Sequence, residues 1–174
     1  MKYKCLFLDR DGVINYDYGH VGTKDRFKFK PGIFNLVRKA NNLNYLVIVV
    51  TNQAGIGKGF YSDEEFKRLS KWMLNRFQEK NCYIHDVFYC PYHPTQGRGK
   101  YLKKSFDRKP FPGMLIKAAA KHKIDLNKSI LVGDKHSDIE AGQLAGVRNL
   151  YLIGNKISFK DAKIIKNLKE INFE

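Results

Sequence analysis

The sequence predicts an α/β fold in which helices cover both faces of a doubly wound, mostly parallel sheet. Short apolar runs alternate with amphipathic segments along the 174 residues. The runs are too continuously apolar for strands with one solvated face, and this is typical of strands inside a parallel sheet. Acidic, hydroxyl and amide residues directly follow several runs, at the carboxyl ends of strands, where ligands bind in such sheets.

Five apolar or β-branched runs predict the strands, and four amphipathic segments between them predict the helices. The predicted strands are Lys4–Leu8, Tyr45–Val50, Asp86–Tyr89, Ser129–Val132 and Asn149–Ile153. The predicted helices are Pro31–Asn42, Asp63–Gln78, Pro112–His122 and Asp138–Ala145. Capping boxes are predicted at Ser62-x-x-Glu65 and at Ser137-x-x-Glu140, with Gly146 as a C-terminal stop. Ala162–Ile165 fits either an edge strand or the start of a last helix.

Length and composition predict a single folded domain over residues 1–174, because 43% of the chain is apolar. The longest irregular stretches, Ile14–Lys30 and Pro91–Phe111, are too short for a cap domain. No apolar run approaches the roughly 18 residues of a membrane span, and no signal peptide is recognised. We therefore expect a cytoplasmic protein without a membrane partner, whose three cysteines stay reduced.

The charge of the chain is unusual, since 32 Lys and Arg against 17 Asp and Glu give +15. This charge fits a nucleic-acid partner, or a lysine-rich surface around a cleft that attracts phosphate. The lysines are scattered rather than grouped with aromatic residues, which favours the second interpretation. We expect no nucleic-acid partner, and the lack of an obvious interface pattern favours a monomer.

Two carboxylates, Asp9 and Asp11, directly follow the first strand and project to the same side. Unpaired acids beside an apolar core are costly and favour a bound cation. Asp9 is placed to attack phosphorus, and Asp11 to protonate the leaving oxygen and then deprotonate water. Each also fits the turn-capping role that Asp often has, and Gly12 favours a tight turn there.

Thr51, Asn52, Gln53 and Ala54 follow the second strand. A hydroxyl and successive amides at this position suit the cradling of phosphoryl oxygens, although Thr-Asn after a strand is also an ordinary turn. The following glycine-rich run lacks the Gly-Lys-Ser/Thr ending of a nucleotide-binding loop.

Two further fragments supply charge. Lys109, between Arg108 and Pro110, suits neutralisation of a phosphoryl group, and Arg108 suits a second anion. Asp134, in Gly133-Asp134-Lys135 at the end of a strand, suits a Mg²⁺ shared with Asp9. Asp138 fits a helix cap better than a metal ligand.

Together these fragments resemble the haloacid dehalogenase superfamily of aspartate-nucleophile phosphatases, over nearly the whole chain. They are most similar to the group that contains histidinol-phosphate phosphatases and D-glycero-D-manno-heptose 1,7-bisphosphate phosphatases. Three segments favour the heptose enzymes: Asn15-x-Asp17-x-Gly19-x-Val21, the run Gly55–Gly59, and Arg108-Lys109-Pro110-x-Pro112-Gly113-Met114.

The resemblance implies a Rossmann-like fold without a cap and a Mg²⁺-dependent hydrolysis of the C7 phosphate of a heptose bisphosphate. The product serves nucleotide-activated heptose synthesis for lipopolysaccharide or surface polysaccharide. Asp9 is then the nucleophile and Asp11 the acid/base, Thr51 and Lys109 stabilise the phosphoryl group, and Asp9, Asp11 and Asp134 bind Mg²⁺. The residues implied in substrate binding are Asp17, Tyr18, Gly19, His20, Asn52, Gln53, Ala54, Arg108 and Lys135.

The chain departs from its relatives in the loop that follows Cys90. Relatives there hold a structural zinc through a Cys-x-His and a later Cys-x-Cys, and the matching positions here are Cys90, Tyr92, Ser105 and Asp107. We therefore expect no zinc, with Tyr101 and Phe106 holding the loop by packing. A rearranged site formed by Cys90, His93 and Asp107 is the alternative.

Three other functions remain open. A histidinol-phosphate phosphatase shares most of the motifs, but an amino alcohol needs acidic contacts where this chain has cations. A nucleic-acid 3′-phosphatase fits the charge of +15. A phosphoacceptor signalling domain also carries an aspartate on a doubly wound sheet, but it does not need Asp11 as a proton shuttle.

Overall fold

The computed structural model describes residues 2–154 and 161–173. Within these ranges six strands form one parallel sheet. They are β1 (Lys4–Leu8), β2 (Tyr45–Asn52), β3 (Asp86–Cys90), β4 (Ile130–Gly133), β5 (Asn149–Ile153) and β6 (Lys163–Ile165). Their spatial order is β3-β2-β1-β4-β5-β6. The five predicted strands are confirmed, and the ambiguous segment near the C terminus is an edge strand.

Helices connect the strands as predicted. They are α1 (Ile33–Asn42), α2 (Ala54–Lys58), α3 (Asp63–Glu79), α4 (Gly113–His122) and α5 (His136–Ala145). The short helix α2 was not predicted, because a glycine-rich run of five residues carries no helical periodicity. Single 3₁₀ turns lie at Gly99–Tyr101, Leu126–Lys128 and Leu168–Glu170. None of the helices in the described ranges has the length and apolar character that crossing a bilayer requires.

One of the two predicted capping boxes is wrong. At the start of α3, Ser62 accepts a hydrogen bond from the backbone of Glu65, and the Glu65 carboxylate accepts one from the backbone of Ser62, as predicted. Helix α5 begins at His136 rather than Asp138. Its first turn is held by the buried Asp138, whose Oδ2 accepts hydrogen bonds from the backbone nitrogens of Asp134 (3.1 Å) and Lys135 (2.9 Å). Gly146 ends this helix at φ 81°, as expected.

Alternate residues of the central strands enter the two cores on opposite faces of the sheet. Leu6 and Leu8 of β1 pack with apolar side chains of α1 and α3. Cys5 and Phe7 of the same strand pack with side chains of α4 and α5. Because both faces are covered, most residues of β1, β2 and β4 are buried, which explains their continuous apolar sequence.

The two long connections remain close to the body of the protein, and no cap domain is inserted in the described ranges. In the segment 91–112, the Tyr101 ring lies 6.1 Å from that of Tyr92 and packs against the small cluster around Ile56. Tyr101 therefore anchors the loop as expected. The expectation for Phe106 is wrong, because its side chain is 59% exposed and contacts Phe111, which is itself about half exposed.

Candidate active site

The carboxyl ends of β1, β2 and β4 meet at the centre of the sheet and place the predicted residues around one pocket. The strand order reverses beside β1, as at the ligand sites of other doubly wound sheets. The pocket has a volume of about 530 Å³. Its lining includes eleven of the fourteen residues predicted for the site: Asp9, Asp11, Asp17, Gly19, His20, Asn52, Gln53, Ala54, Arg108, Lys109 and Lys135.

Three predicted residues are not part of that lining. Thr51 is buried at 1% exposure and accepts a hydrogen bond from Gln53, which lines the pocket. Asp134 lies next to Gly12, where a Cβ on the glycine would stand 2.2 Å from Asp134 Oδ2. Gly12 also has φ +91°, so both its conformation and this close approach require glycine. Tyr18 is about half exposed and stacks on Tyr16.

Lys109 is a buried ammonium between two carboxylates. Its Nζ lies 3.0 Å from Asp9 Oδ1 and 2.5 Å from Asp138 Oδ1, and it donates to the carbonyl of Val50 at 2.8 Å. Burial alone would lower the pKa of Lys109, but the negative charges of Asp138 and Asp9 outweigh it and raise that pKa. The ammonium is therefore held fully charged beside Asp9.

Asn52 fixes the backbone that carries this lysine. Its side-chain Oδ1 accepts from the backbone nitrogen of Lys109 at 3.0 Å, and its Nδ2 donates to the backbone carbonyl of Lys109 at 2.9 Å. Asn52 had been predicted to contact the substrate. In the structure its amide joins the end of β2 to the Lys109 segment, although the residue also borders the pocket.

Three carboxylates, those of Asp9, Asp134 and Asp138, each offer an oxygen within 4.8 Å of the others. Burial raises the pKa of Asp134 to about 7, and the nearby Asp9 acts in the same direction. Burial likewise raises the pKa of Asp9, against the opposing effect of Lys109. Asp134 Oδ1 is buried and has no hydrogen-bond partner. An orphaned carboxylate oxygen in an all-oxygen cluster fits a hard cation such as Mg²⁺.

This cluster differs from the predicted metal set, which contained Asp11 and not Asp138. The Asp11 carboxylate instead accepts a two-pronged contact from Arg10, whose Nη2 lies 2.9 Å from Oδ2. It also accepts from Asn15 Nδ2 and from Gln53 Nε2, each at 2.9 Å. Asp138 is itself engaged by Lys109 and by two backbone nitrogens, so Asp9 and Asp134 are the better available ligands.

Three cations besides Lys109 border the pocket. Arg108 is half-buried and donates to the carbonyl of Tyr92 at 3.1 Å. Lys135 forms an ion pair with Asp17 at 3.0 Å. Lys58, which was not predicted, joins them at the end of α2. Burial lowers the pKa of His20, and the charge of Lys58 acts in the same direction.

Comparison with known proteins agrees with this geometry. A family model described as HAD-hydrolase-like matches residues 106–167. A D-glycero-α-D-manno-heptose-1,7-bisphosphate 7-phosphatase from Burkholderia mallei is 46% identical, with 98% of this chain and 93% of the relative covered. The chain belongs to the haloacid dehalogenase-like hydrolases, in the group of the heptose-bisphosphate phosphatases. A D-glycero-β-D-manno-heptose-1,7-bisphosphate 7-phosphatase from Haemophilus influenzae is 41% identical, with 86% of this chain and 81% of the relative covered.

A solved structure of this group extends the likeness to three dimensions. The D,D-heptose 1,7-bisphosphate phosphatase from B. bronchiseptica, complexed with magnesium and phosphate, has a TM-score of 0.82. It is 25% identical, and the match covers 95% of this chain and 93% of that one.

Sequence reasoning missed three residues of the site. Arg10 lies between the two predicted catalytic aspartates, and strand alternation would point it away from them. The chain leaves β1 there, and the backbone nitrogens of Ile14 and Asn15 donate to the Arg10 carbonyl in a tight turn. Asp138 was predicted to cap the helix rather than to bind metal; it does hold the first turn of α5, but its carboxylate also joins the cluster of Asp9 and Asp134. Lys58 was missed because it lies in a glycine-rich run that carries no helical periodicity.

Proposed function

We propose that this chain hydrolyses the C7 phosphate of D-glycero-D-manno-heptose 1,7-bisphosphate through an aspartyl-phosphate. One observation carries the chemistry: the carboxylate of Asp9 is buried at the floor of the pocket, 3.0 Å from the ammonium of Lys109. A carboxylate needs such a neighbour to approach an anionic phosphate. The substrate follows from the relatives, whose names specify the heptose bisphosphate and removal of its 7-phosphate.

In the first step, an oxygen of Asp9 attacks phosphorus in line while the bond from phosphorus to the sugar oxygen breaks. Asp11 gives its proton to that oxygen, and the charge of Lys109 and the hydroxyl of Thr51 stabilise the phosphoryl oxygens. In the second step, water attacks the phosphorus, Asp11 takes up its proton, and the carboxylate of Asp9 is released with inorganic phosphate. A Mg²⁺ held by Asp9 and Asp134 would neutralise charge on the phosphoryl group.

The three cations that border the pocket besides Lys109 support a substrate with two phosphates. Asp9 and Lys109 serve the reacting phosphate, whereas Arg108, Lys58 and Lys135 border the pocket without taking part in the chemistry. A second phosphate needs such groups, and the ammonium of histidinol phosphate would be repelled by them. The more similar of the two relatives is named for the α anomer, which favours the α-bisphosphate as the preferred substrate.

The pocket also supports a small-molecule substrate rather than a nucleic acid, and we propose a cytoplasmic monomer. Its volume of about 530 Å³ suits a sugar bisphosphate. Filter binding to long DNA or RNA at physiological salt tests this part of the proposal. Tight, sequence-independent retention would contradict it.

We propose further that the chain works without a structural zinc. At the positions of three zinc ligands in relatives it has other groups, and two of these are engaged. The Tyr92 ring packs on Tyr101 and lies 4.0 Å from the ammonium of Lys103. The Asp107 carboxylate pairs with Lys117. Metal analysis of the purified protein tests this, and stoichiometric zinc would contradict it.

The decisive experiment is phosphate release in the presence of Mg²⁺ from four compounds. They are the two anomers of heptose 1,7-bisphosphate, histidinol phosphate and a 3′-phosphorylated oligonucleotide. We expect kcat/KM to be highest for the α-heptose bisphosphate. A preference for histidinol phosphate or the oligonucleotide would retain the mechanism and overturn the substrate.

A further inference from the structure

Gln53 is a buried amide whose hydrogen bonds all lead to the site. Its exposure is 1%. Nε2 donates to Asp11 Oδ2 at 2.9 Å and to Thr51 Oγ1 at 3.0 Å, and Oε1 accepts from the hydroxyl of Tyr61 at 2.6 Å. Both N–H hydrogens and the carbonyl oxygen are thus used, and the amide is satisfied in one orientation.

Tyr61 determines that orientation. If the amide were reversed, its oxygen would face a carboxylate oxygen of Asp11, and the hydroxyl of Tyr61 would face an N–H group in place of the carbonyl oxygen that now accepts its hydrogen bond. Burial raises the pKa of Tyr61 to about 12, so its hydroxyl keeps the proton that it donates to Oε1. Removal of this donor would leave the buried carbonyl of Gln53 unpaired, which favours other orientations of the amide.

The ring of Tyr61 is itself held in a slot between two glycines. A Cβ on Gly22 would stand 2.5 Å from the Tyr61 ring, and one on Gly55 would also stand 2.5 Å from it. These glycines come from the connection after β1 and from α2, and the ring packs in a cluster with Ile56 and Phe66. The hydroxyl therefore reaches Gln53 from a fixed position.

The fixed orientation of the Gln53 amide orients two groups proposed to act on the substrate, the hydroxyl of Thr51 and the carboxylate of Asp11. Because Thr51 Oγ1 accepts from Gln53, its own hydrogen is free to point at a phosphoryl oxygen. The Asp11 carboxylate is bonded from three sides, by Arg10, Asn15 and Gln53, so its plane is set before substrate binds. Such prior orientation is what makes acid catalysis and hydroxyl donation effective.

We propose that Tyr61, acting through Gln53, is a positioning residue for proton transfer by Asp11 and for the hydroxyl of Thr51. This inference rests on the proposed phosphatase function. It distinguishes Tyr61 from its neighbour Tyr89, whose hydroxyl donates to Asp63 at an identical 2.6 Å and does not border the pocket. Tyr89→Phe is therefore a matched control for Tyr61→Phe.

The test compares kcat/KM on two substrates, because this ratio includes departure of the leaving group and excludes later hydrolysis. A sugar alkoxide needs a proton from Asp11 to leave, whereas the nitrophenolate of p-nitrophenyl phosphate does not. For Tyr61→Phe we expect kcat/KM to fall about 10-fold on the heptose bisphosphate and less than about 3-fold on p-nitrophenyl phosphate. Acid catalysis supplies about 100-fold or more, and the variant should lose part of that factor. Tyr89→Phe should leave both values unchanged.

Equal losses of Tyr61→Phe on the two substrates, or no loss, would overturn the inference, since a merely structural role does not depend on the leaving group. Gln53→Met, which keeps the volume and removes both donors, provides a second variant and should show a larger discrimination in the same direction. The wild-type protein reports on the proposed function separately. If it prefers another alkyl phosphate, that ester replaces the heptose compound in the comparison.

Discussion

Burial disfavours the charged form of Asp134 when no metal is bound. The substitution Asp134→Asn removes this charge and should therefore stabilise the protein in the absence of metal. The pKa of Asp134 is raised from 3.8 to about 7, and each unit corresponds to about 1.4 kcal/mol. The upper limit is thus about 4 kcal/mol at alkaline pH. The side chain is 20% exposed, and allowance for solvent screening reduces the expected gain to about 2 kcal/mol.

The gain should depend on pH with a definite sign. Between about pH 4 and about pH 7 the folded protein holds a proton on Asp134 that the unfolded chain has released, so a rise in pH favours unfolding. The asparagine variant lacks this loss. Its advantage over the wild type should be small near pH 4 and complete above about pH 7.

Thermal melting in the presence of a chelator measures the effect. A gain of about 2 kcal/mol corresponds to a rise in Tm of about 4–8 °C for a chain of this size. Glu140→Gln, at an exposed position of α5, is the control for loss of one negative charge and should shift Tm little. Addition of Mg²⁺ should stabilise the wild type and leave Asp134→Asn nearly unchanged. An asparagine variant that is less stable than the wild type without metal at about pH 8, or a gain independent of pH, would refute the reasoning.

Three other substitutions separate chemistry from stability. Asp9→Asn should fold normally by circular dichroism but retain below about a thousandth of wild-type kcat, because it lacks the nucleophile; substantial turnover would contradict this. Gly133→Ala places a Cβ 2.2 Å from the Cβ of Asp138, so denaturant unfolding should show a loss of about 1–3 kcal/mol, with reduced kcat. Ser62→Ala removes the acceptor of the Glu65 N–H and should cost about 1 kcal/mol in the same assay; unlike Gly133→Ala, it should leave kcat unaltered.

The sheet was predictable because each buried strand must be apolar on both faces, and this leaves a continuous signal in the sequence. The positions of Asp9, Thr51 and Asp134 followed from it, since parallel strands bring their carboxyl ends to one edge. The third carboxylate of the cluster was not predictable in the same way. Asp138 caps the first turn of α5 as predicted, but its second carboxylate oxygen also pairs with the buried Lys109, and this contact between segments distant in the sequence has no local signal.

The contacts that orient the site were harder to foresee than the site itself. A sequence identifies Gln53 as polar and near the end of a strand, but the direction of its amide depends on Tyr61, which enters from beyond α2. Arg10 is similar: its burial at 1% exposure depends on rings of Phe27 and Phe66 within 6 Å of its guanidinium. These contacts come from segments distant in the sequence and have no local periodicity.

The distribution of cations within the site is the reason that we expect Asp134 to be the position most sensitive to metal. Asp9 has the buried ammonium of Lys109 at 3.0 Å, and Asp11 has the buried guanidinium of Arg10 at 2.9 Å. Within residues 2–154 and 161–173, the ion-pair partner of Asp134 is Lys135, which is half exposed, lies 4.0 Å away and also pairs with Asp17. Its carboxylate is therefore the least compensated of the three, and a cation bound beside it gains more than one bound beside Asp11. If Asp9 and Asp11 act as proposed, the protein neutralises its nucleophile and its acid/base internally and leaves the charge of Asp134 for Mg²⁺.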